Sequence, residues 1–572
     1  MMQSSQNYSI QEVPLSSSFF RREVERFLTD NGLRLESLDA YYAIRNSEGR
    51  ILAGAGLQGR TIKCVAVAAQ ARSEGLAAPL ISHIISESGS TCLRVFTKPE
   101  HQSVFESLGF KLLASAPEAV LMENGRGVER YCAYLQSLPL TGKVGVVLMH
   151  ANPFTLGHRH LLEKAQALVD TLVVIPVKED SRPFSYSERL QMLRAGVPEG
   201  VVVAEGSDYQ ISSLTFPTYF LKDLSTAAEN QMRLDLDLFR RWIAPALGAV
   251  SRFVGTEPLD PLTARYNSLM KELLPLEVVE IPRLEDAGGP VSASRVRKAL
   301  EEGSFEKAAA LVPAGSRPYL LAQLACQALQ TELDLPLKPG LVCPGFSGAH
   351  KDMDYALMQR SIAALRPWFV RMASAQNADE LQQLGMEAEE SMLEATGGVN
   401  THRGAIFCLG LALYAWAQTP DNQELPSVKL ASCAQLVLRK RLSGSDLTPR
   451  GLSHGELAAA QFHAKGAREM ALDGYWEVFQ DWLPYYRSLP KGTEAMQRTL
   501  LRIMSTLDDT CILHRAGLQR AQQVKEEAKE LAHHFDTEKL KTLCDRYAEE
   551  GISPGGAADM LSLTLLLNTF IN

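Results

Sequence analysis

The chain has 572 residues, 46% hydrophobic and 22% charged, with a formal net charge of −8. That length exceeds what one core sustains and implies roughly three or four domains, while the mildly acidic balance excludes nucleic acid as a main partner, because phosphate backbones select basic faces. The nine cysteines (Cys64, Cys92, Cys132, Cys326, Cys343, Cys408, Cys433, Cys511 and Cys544) are scattered, odd in number and without a CxxC pair, which points to reduced thiols in the cytoplasm rather than a disulfide framework.

The first stretch, MMQSSQNYSIQEVPL, lacks the basic and apolar regions of a signal peptide. Strands are expected over Leu38–Arg45, Ile51–Gln58 and Thr61–Val67, the first two joined by the turn Asn46–Gly49. The third runs into Gln70-Ala-Arg72-Ser-Glu-Gly75-Leu-Ala77 and a helix over Pro79–Glu87, and a further strand spans Leu93–Phe96. This first unit occupies residues 1–125, with a connecting helix and linker over 126–143. A second unit, 144–312, opens on the apolar strand Val144–Met149, the loop His150–Thr155 with its breaker Asn152-Pro153, and a helix. Its further strands, Thr171–Val177, Val201–Ala204, Ser251–Val254 and Leu276–Ile281, alternate with helices, so a doubly wound α/β sheet is expected. The linker 313–318 then precedes a unit, 319–572, that is helical throughout. Met560–Ile571 reads as a core helix, shorter than the ~20 residues that span a bilayer, so no membrane partner is expected.

Strand, tight loop and helix N-terminus form the usual cradle for a phosphate, because free backbone N–H groups and the helix dipole face the anion. Thr155-Leu-Gly157-His158 stands at such a place. So does Val291-Ser292-Ala-Ser294-Arg-Val-Arg297, where Ser294 is expected to cap the late helix and Arg297 to grip phosphate oxygens in pairs. Gly157 would let the backbone approach a triphosphate, and His158 would donate to a phosphate oxygen as charge builds.

The Arg72-x-x-Gly75-x-Ala77 turn between strand and helix resembles the acyl-CoA-binding motif of the GNAT acetyltransferase fold. The resemblance implies a GNAT-like α+β domain whose Arg72 and Gly75 hold a CoA-like group; a plain structural turn is the other reading. No acidic residue stands out there as a base for acetyl transfer. The Thr155–His158 and Ser292–Arg297 pair resembles the (H/T)xGH and ISSxxR signatures of the nucleotidyltransferase superfamily, which implies a Rossmann-like domain. MHANPFTLGHRHLLEKA, PVKEDSRPFSYSERLQML, RFVGTEPLDPLTARYNSLM and VSASRVRKAL together resemble citrate lyase ligase over about residues 1–312. That family implies activation of acetate by ATP as acetyl-adenylate. The acetyl group then passes to the thiol of the CoA-like prosthetic arm on the acyl carrier subunit of citrate lyase. Thr155, His158, Ser294 and Arg297 are the implied catalytic groups, with Asn152, Phe154, Gly157, Lys178, Arg189, Gly255, Thr256, Glu257 and Ser292 around the ATP. Lys178 reads equally as a solvated charge, and Arg189 as a structural helix residue.

Lys338-Pro-Gly340-Leu-Val, Gly348-Ala-His350-Lys-Asp352-Met-Asp354, Asn400-Thr-His402-Arg403-Gly404, Asp508-Asp509, His514-Arg515 and Ser553-Pro-Gly555-Gly556 resemble triphosphoribosyl-dephospho-CoA synthase, an all-α family. The family joins the 2′-hydroxyl of 3′-dephospho-CoA to the anomeric carbon of ATP and releases adenine, making the precursor of the same arm. The resemblance implies Asp352, Asp354 and Asp509 as Mg²⁺ ligands, with Lys338, Gly340, His350, Asn400, His402, Arg403, Arg515, Ser553 and Gly555 binding the nucleotide. A carboxylate base is expected among Asp352, Asp509 and Glu456. Each residue reads alternatively as a cap or a surface charge. The sequence departs from the family's GxRGEA pattern at Gly466-Ala-Arg468-Glu469-Met470 and Asp473, at Cys343 where Asp is usual, and at Ala516 where Gly is common. The expected whole is a multidomain, bifunctional maturation enzyme for citrate lyase. Its rivals are a ligase with a non-catalytic helical module, and an adenylyltransferase that makes a dinucleotide.

Overall fold

A computed structural model describes residues 9–212, 215–221, 226–257, 260–418, 425–442, 457 and 461–571. The chain forms two compact units, Met1–Val291 and Ser292–Asn572.

The first unit contains two sheets. Seven strands pair in the order β1 (Ile10–Glu12), β2 (Ala40–Arg45), β3 (Ile51–Gln58), β4 (Thr61–Val67), β5 (Arg94–Thr97), β7 (Val120–Asn124), β6 (Phe110–Ser115). The β2–β3 hairpin closes where Asn46 accepts the N–H groups of Glu48 and Arg50 through its side-chain oxygen, and Gly49 takes a φ of 79° that suits glycine. All pairs are antiparallel except β4–β5. That parallel pair matches only Thr61 with Arg94 and Ile62 with Val95. Beyond this register Tyr219 sits between the two strands: its hydroxyl donates to the Phe96 carbonyl at 3.2 Å, and Phe216 packs edge-on against the Phe96 ring at 5.7 Å. Strands β6 and β7 and the helix Ser18–Asp30 extend this sheet region beyond the elements expected from sequence.

The second sheet is parallel throughout, in the order β10 (Val202–Val203), β9 (Thr171–Pro176), β8 (Val144–Met149), β11 (Ala249–Gly255), β12 (Glu277–Ile281). Every residue of β9 is buried, as its unbroken apolar run requires of a strand covered on both faces. The chain works outward from β8 to β10, then crosses to β11 on the other side of β8. The switch point therefore lies between the C-terminal ends of β8 and β11, the crevice in which open α/β sheets bind ligands. One hydrophobic cluster runs from Ala43 and Leu121 of the first sheet to Val146 and Ile175 of the second.

The second unit is helical; among its described residues the only β-pairing is the single bridge Cys343–Phe346. Its helices include Ala293–Glu301, Arg317–Asp334, Tyr355–Ser374, Ala378–Ala395, Arg403–Gln418, Thr493–Thr506, Thr510–His533, Thr537–Glu550 and Gly555–Phe570. The 313–318 segment is a short turn, Ala314–Ser316, that feeds directly into Arg317–Asp334. Gly555–Phe570 is a core helix, with Leu561, Leu563, Leu566 and Leu567 fully buried. No helix among the described residues is long and apolar enough to cross a membrane.

Candidate active sites

At the C-terminal end of β8 the chain turns through Asn152-Pro153 into the helix Leu156–Gln166. Thr155 is its N-cap. The Thr155 hydroxyl accepts the His158 N–H, and the His158 ring returns the favour where a capping box normally has Glu. Nδ1 of His158 accepts the Thr155 backbone N–H at 3.0 Å, so the neutral ring carries its proton on Nε2. Burial, aided by Arg283 and His150, pushes this histidine down to about 4. The result is a ring that is neutral at physiological pH, is fixed at Nδ1 and has Nε2–H as its donor. Phe154 stacks on it with ring centres 5.8 Å apart.

Gly157 has a different neighbour from the expected one. A Cβ there would lie 2.2 Å from the carbonyl oxygen of Val291, so the close approach that requires glycine is to the protein's own backbone. Asn152 is buried and donates to Ser181 Oγ at 2.9 Å and to the Arg182 carbonyl at 3.1 Å, which ties the loop after β8 to the loop after β9. Arg189 is fully buried and donates to the carbonyls of His150, Val177 and Glu179. It clamps the same two loops, in keeping with the structural reading. Lys178, half exposed, lies 3.7 Å from Asp208, which also pairs with Arg60 and Arg94. At the end of β11, Gly255 has open space beside it. Arg283 donates to the Thr256 carbonyl at 2.7 Å and pairs with Glu257. Sequence reasoning passed over Arg283, and also Glu179, which accepts from His150 at 2.7 Å and from Ser212. Against the desolvation of burial, these hydrogen bonds hold the Glu179 carboxyl below its ordinary range. Both residues gain their partners only through the fold.

In the second unit, the cap of Ala293–Glu301 is Ser292, whose hydroxyl accepts the Arg295 N–H at 3.3 Å. This corrects the expectation for Ser294, which sits in the first turn and accepts from Arg297 Nη2 at 3.1 Å. On the first-unit sheet, Arg72 is exposed in the short turn Ala69–Glu74, and Gly75 closes that turn at a φ of 67° with nothing near its Cβ position.

The remaining second-unit residues gather at helix starts. Asp509 is buried and caps two helices at once: it accepts from Cys511 and Ile512 at 2.9 and 3.4 Å, and from Ala557 at 2.9 Å. Asp354 caps Tyr355–Ser374, accepting from Leu357 at 2.7 Å. Asp352 is exposed and lies 3.9 Å from His350 Nδ1. These three carboxylates do not form a metal cage, and no group of three His, Cys, Asp or Glu side chains among the described residues could hold an ion. The oxygens of Asp354 and Asp509 serve helix caps instead and Asp352 faces water, so the expected Mg²⁺ set is not brought together. Glu456 lies outside the described residues.

Lys338 is 1% exposed and donates to both the backbone and the side chain of Glu332, so its charge is neutralised inside the protein. Gly340 adopts a φ of 70° and a Cβ on it would meet the Ile552 carbonyl at 1.9 Å. His402 is buried against Ser361 Oγ at 2.7 Å, and desolvation plus Lys338 push it down to about 4. Asn400 accepts the Arg403 N–H at 3.3 Å, and Arg403 pairs with Glu389 at 2.9 Å. His350 Nε2 lies 2.8 Å from Ser553 Oγ, while its buried Nδ1 has no hydrogen-bond partner. Arg515 is exposed and near enough to lower the His350 pKa, after the larger effect of burial. Gly555 opens the last helix beside Cys511. In the altered segment Met470 is buried, Glu469 is exposed, and Asp473 pairs with Lys465 at 2.6 Å. Sequence reasoning missed Asp559. The available signal was a lone acid in the otherwise uncharged helix Gly555–Phe570.

Comparison with known proteins assigns both parts. Residues 144–320 match the family model for the citrate lyase ligase C-terminal domain, and residues 318–572 match that for ATP:dephospho-CoA triphosphoribosyl transferase. The chain is 41% identical over 326 residues to a citrate (pro-3S)-lyase ligase of Klebsiella pneumoniae, covering 54% of this chain and 95% of the relative. It is 40% identical over 314 residues to the protein of the same name from Escherichia coli strain K12, covering 52% and 89%. Its other half is 38% identical over 278 residues to an Azotobacter vinelandii protein named "Probable 2-(5''-triphosphoribosyl)-3'-dephosphocoenzyme-A synthase", covering 45% and 94%.

Proposed function

We propose how the two halves work from the premise that this chain belongs to two families at once, citrate lyase ligase and triphosphoribosyl-dephospho-CoA synthase. It is a bifunctional citrate lyase maturation enzyme, with ligase and transferase activities on one chain. One half acetylates the prosthetic thiol of the lyase's acyl carrier with acetate and ATP. The other half makes the precursor of that prosthetic group from ATP and 3′-dephospho-CoA, releasing adenine.

The observation that carries the ligase reading is the Thr155–His158 box beside the switch point of a parallel sheet. On this reading residues 144–312 are a Rossmann-like nucleotidyltransferase domain. Nε2–H of His158 donates to the α-phosphate as acetate oxygen attacks it, where a neutral, pre-oriented donor stabilises the charge that develops. Asn152, Phe154 and Arg189 shape the loop, and Lys178 and Arg283 supply cations. Mg²⁺ accompanies the ATP phosphates rather than a cage of protein carboxylates.

Residues 1–125 are GNAT-like on this reading, supported by one parallel pair in an otherwise antiparallel sheet. With Tyr219 reaching Phe96 of β5 and Cys64 of β4, a CoA-like arm docks on the outside, at the Arg72–Gly75 turn. The nine free cysteines support a reducing, cytoplasmic setting.

The test is one incubation with ATP, acetate, deacetylated carrier and dephospho-CoA, following AMP and adenine separately. Acetate-dependent AMP together with dephospho-CoA-dependent adenine is the expected result. Adenine without AMP would remove the ligase reading, and AMP without adenine would make the helical half a binding module. Unchanged carrier affinity after Arg72→Ala plus Gly75→Ala would remove the docking role of that turn.

A further inference from the structure

The transfer of a ribosyl group to a hydroxyl needs a carboxylate that can reach the substrate and hold a proton. The carboxylates around the helix starts of the second unit differ sharply in this respect. Glu332 is buried and bound by Lys338 at 2.5 Å. Asp509 is buried, with its oxygens taken by the N–H groups of Cys511, Ile512 and Ala557. Asp354 is a helix cap, and Asp352 is exposed to water.

Asp559 is different. It is half-buried, and no Lys, Arg or His of the described residues forms an ion pair with it. Its carboxylate reaches the start of the helix Arg403–Gln418, where the Ala405 N–H is its hydrogen-bond donor. That reach depends on Gly404: a Cβ there would sit 2.0 Å from Asp559 Oδ2. Two helices of 16 residues, Arg403–Gln418 and Gly555–Phe570, thus begin around Asp509 and Asp559 with their positive ends suited to a polyphosphate, beside the short helical segment that runs from Thr510 to the kink at Gly517. A second feature also points to a ligand. The His350 side chain is 9% exposed, and its Nδ1 is buried without a hydrogen-bond partner although Nε2 is held by Ser553. A buried polar atom in that state awaits a partner.

We propose that Asp559 is the catalytic base of the triphosphoribosyl transfer, taking the proton of the 2′-hydroxyl of dephospho-CoA as that oxygen attacks the anomeric carbon of the ATP ribose. The proposal rests on the transferase reading of this half. The new bond joins the 2′-oxygen to the anomeric carbon, and the bond that breaks is the one from that carbon to adenine nitrogen. Adenine leaves with the bonding pair and takes a proton from water; Asp559 returns its own proton to solvent. Burial, then the like charges of Asp509 and Glu332, raise the Asp559 carboxyl well above the ordinary range, which makes it a stronger proton acceptor than an exposed carboxylate. The other groups that face it, the Cys408 thiol and the Tyr475 phenol, are raised by burial, so they stay protonated there.

The experiment measures adenine release from ATP and dephospho-CoA by the full chain across pH, for wild type, Asp559→Asn and Asp559→Glu. Asp559→Asn should lower the rate by about 100-fold or more, with dephospho-CoA binding changed by less than about threefold. The wild-type acidic limb should vanish in Asp559→Asn and move in Asp559→Glu. Acetate-dependent pyrophosphate release and far-UV circular dichroism report folding of the same samples. If Asp559→Asn misfolds, Asp559→Glu decides through the position of its limb. A folded Asp559→Asn chain with wild-type rate, or with the limb retained, overturns the proposal. A wild-type chain that releases no adenine instead overturns the transferase reading beneath it.

Discussion

Two histidines illustrate what burial does to a ring with one satisfied nitrogen. His158 and His402 are both pushed down to about 4, from an ordinary value near 6.5. Their unfolded forms bind protons that the folded forms refuse, so the stability they permit is complete above about pH 6.5 and is lost as pH falls towards 4. The melting temperature of the chain should therefore drop between pH 7 and pH 5, and His402→Gln, which removes one titrating ring, should show a smaller drop. An equal drop would place the acid sensitivity elsewhere. For His158 the chemical consequence is separate from the thermodynamic one. His158→Ala removes a fixed donor and should lower acetate-dependent pyrophosphate release by about 10²–10³-fold, while Thr155→Ala, which removes the hydroxyl cap but leaves the backbone N–H on Nδ1, should lower it by less. The Thr155–His158 stretch stood out as a candidate site because loop, glycine and histidine are neighbours in sequence, but its capping box became visible only in the fold. Those of Asp354 and Asp509 were not, since an Asp before a helix looks the same whether it binds a cation or the helix N–H groups.

At the scale of elements, Arg189 joins loops that sequence keeps apart. It stands 39, 12 and 10 residues from the three carbonyls it binds. Arg189→Ala would leave those carbonyls buried without donors and should cost about 2–4 kcal/mol, read as an earlier urea transition. Arg189→Lys should recover little, because one ammonium on a flexible stem does not reproduce a planar fork. Recovery by Lys would indicate that charge, not geometry, holds the loops. The strands β2, β3, β4, β8 and β9 follow their hydrophobic runs and were legible for that reason. The pairing order was not, because nothing in a run of Val and Ile says which strand lies beside it. Gly157 shows the same limit: its glycine was legible, and its true neighbour, the Val291 carbonyl, was visible only in the fold.

For the whole molecule, the texture of the sequence changes near residue 313, whereas the last strand ends at Pro290 and the compact units divide at Val291 and Ser292. The first helix after that point, Ala293–Glu301, packs with Phe305–Ala309, which in turn packs on Arg317–Asp334. Packing of this kind leaves no trace in local composition. Likewise residues before and after the expected linker 126–143 share one hydrophobic cluster within Met1–Val291. The two chemistries should nonetheless be separable on one chain. His158→Ala should retain adenine release while losing acetate-dependent AMP, and loss of both from a folded chain would mean that the halves depend on each other for activity.

Asp509 has one further consequence, at the level of motion. Its two oxygens hold the first-turn N–H groups of Thr510–His533 and of Gly555–Phe570. These amides have no carbonyl partner within their own helices and would normally fray. With a common acceptor, they cannot open one by one without leaving a buried carboxylate short of donors. In native-state hydrogen exchange the amides of Cys511, Ile512 and Ala557 should therefore share one opening free energy, although 46 residues of sequence separate Cys511 from Ala557. Asp509→Asn should release all three together, so that one side chain sets the exchange clock of two helices.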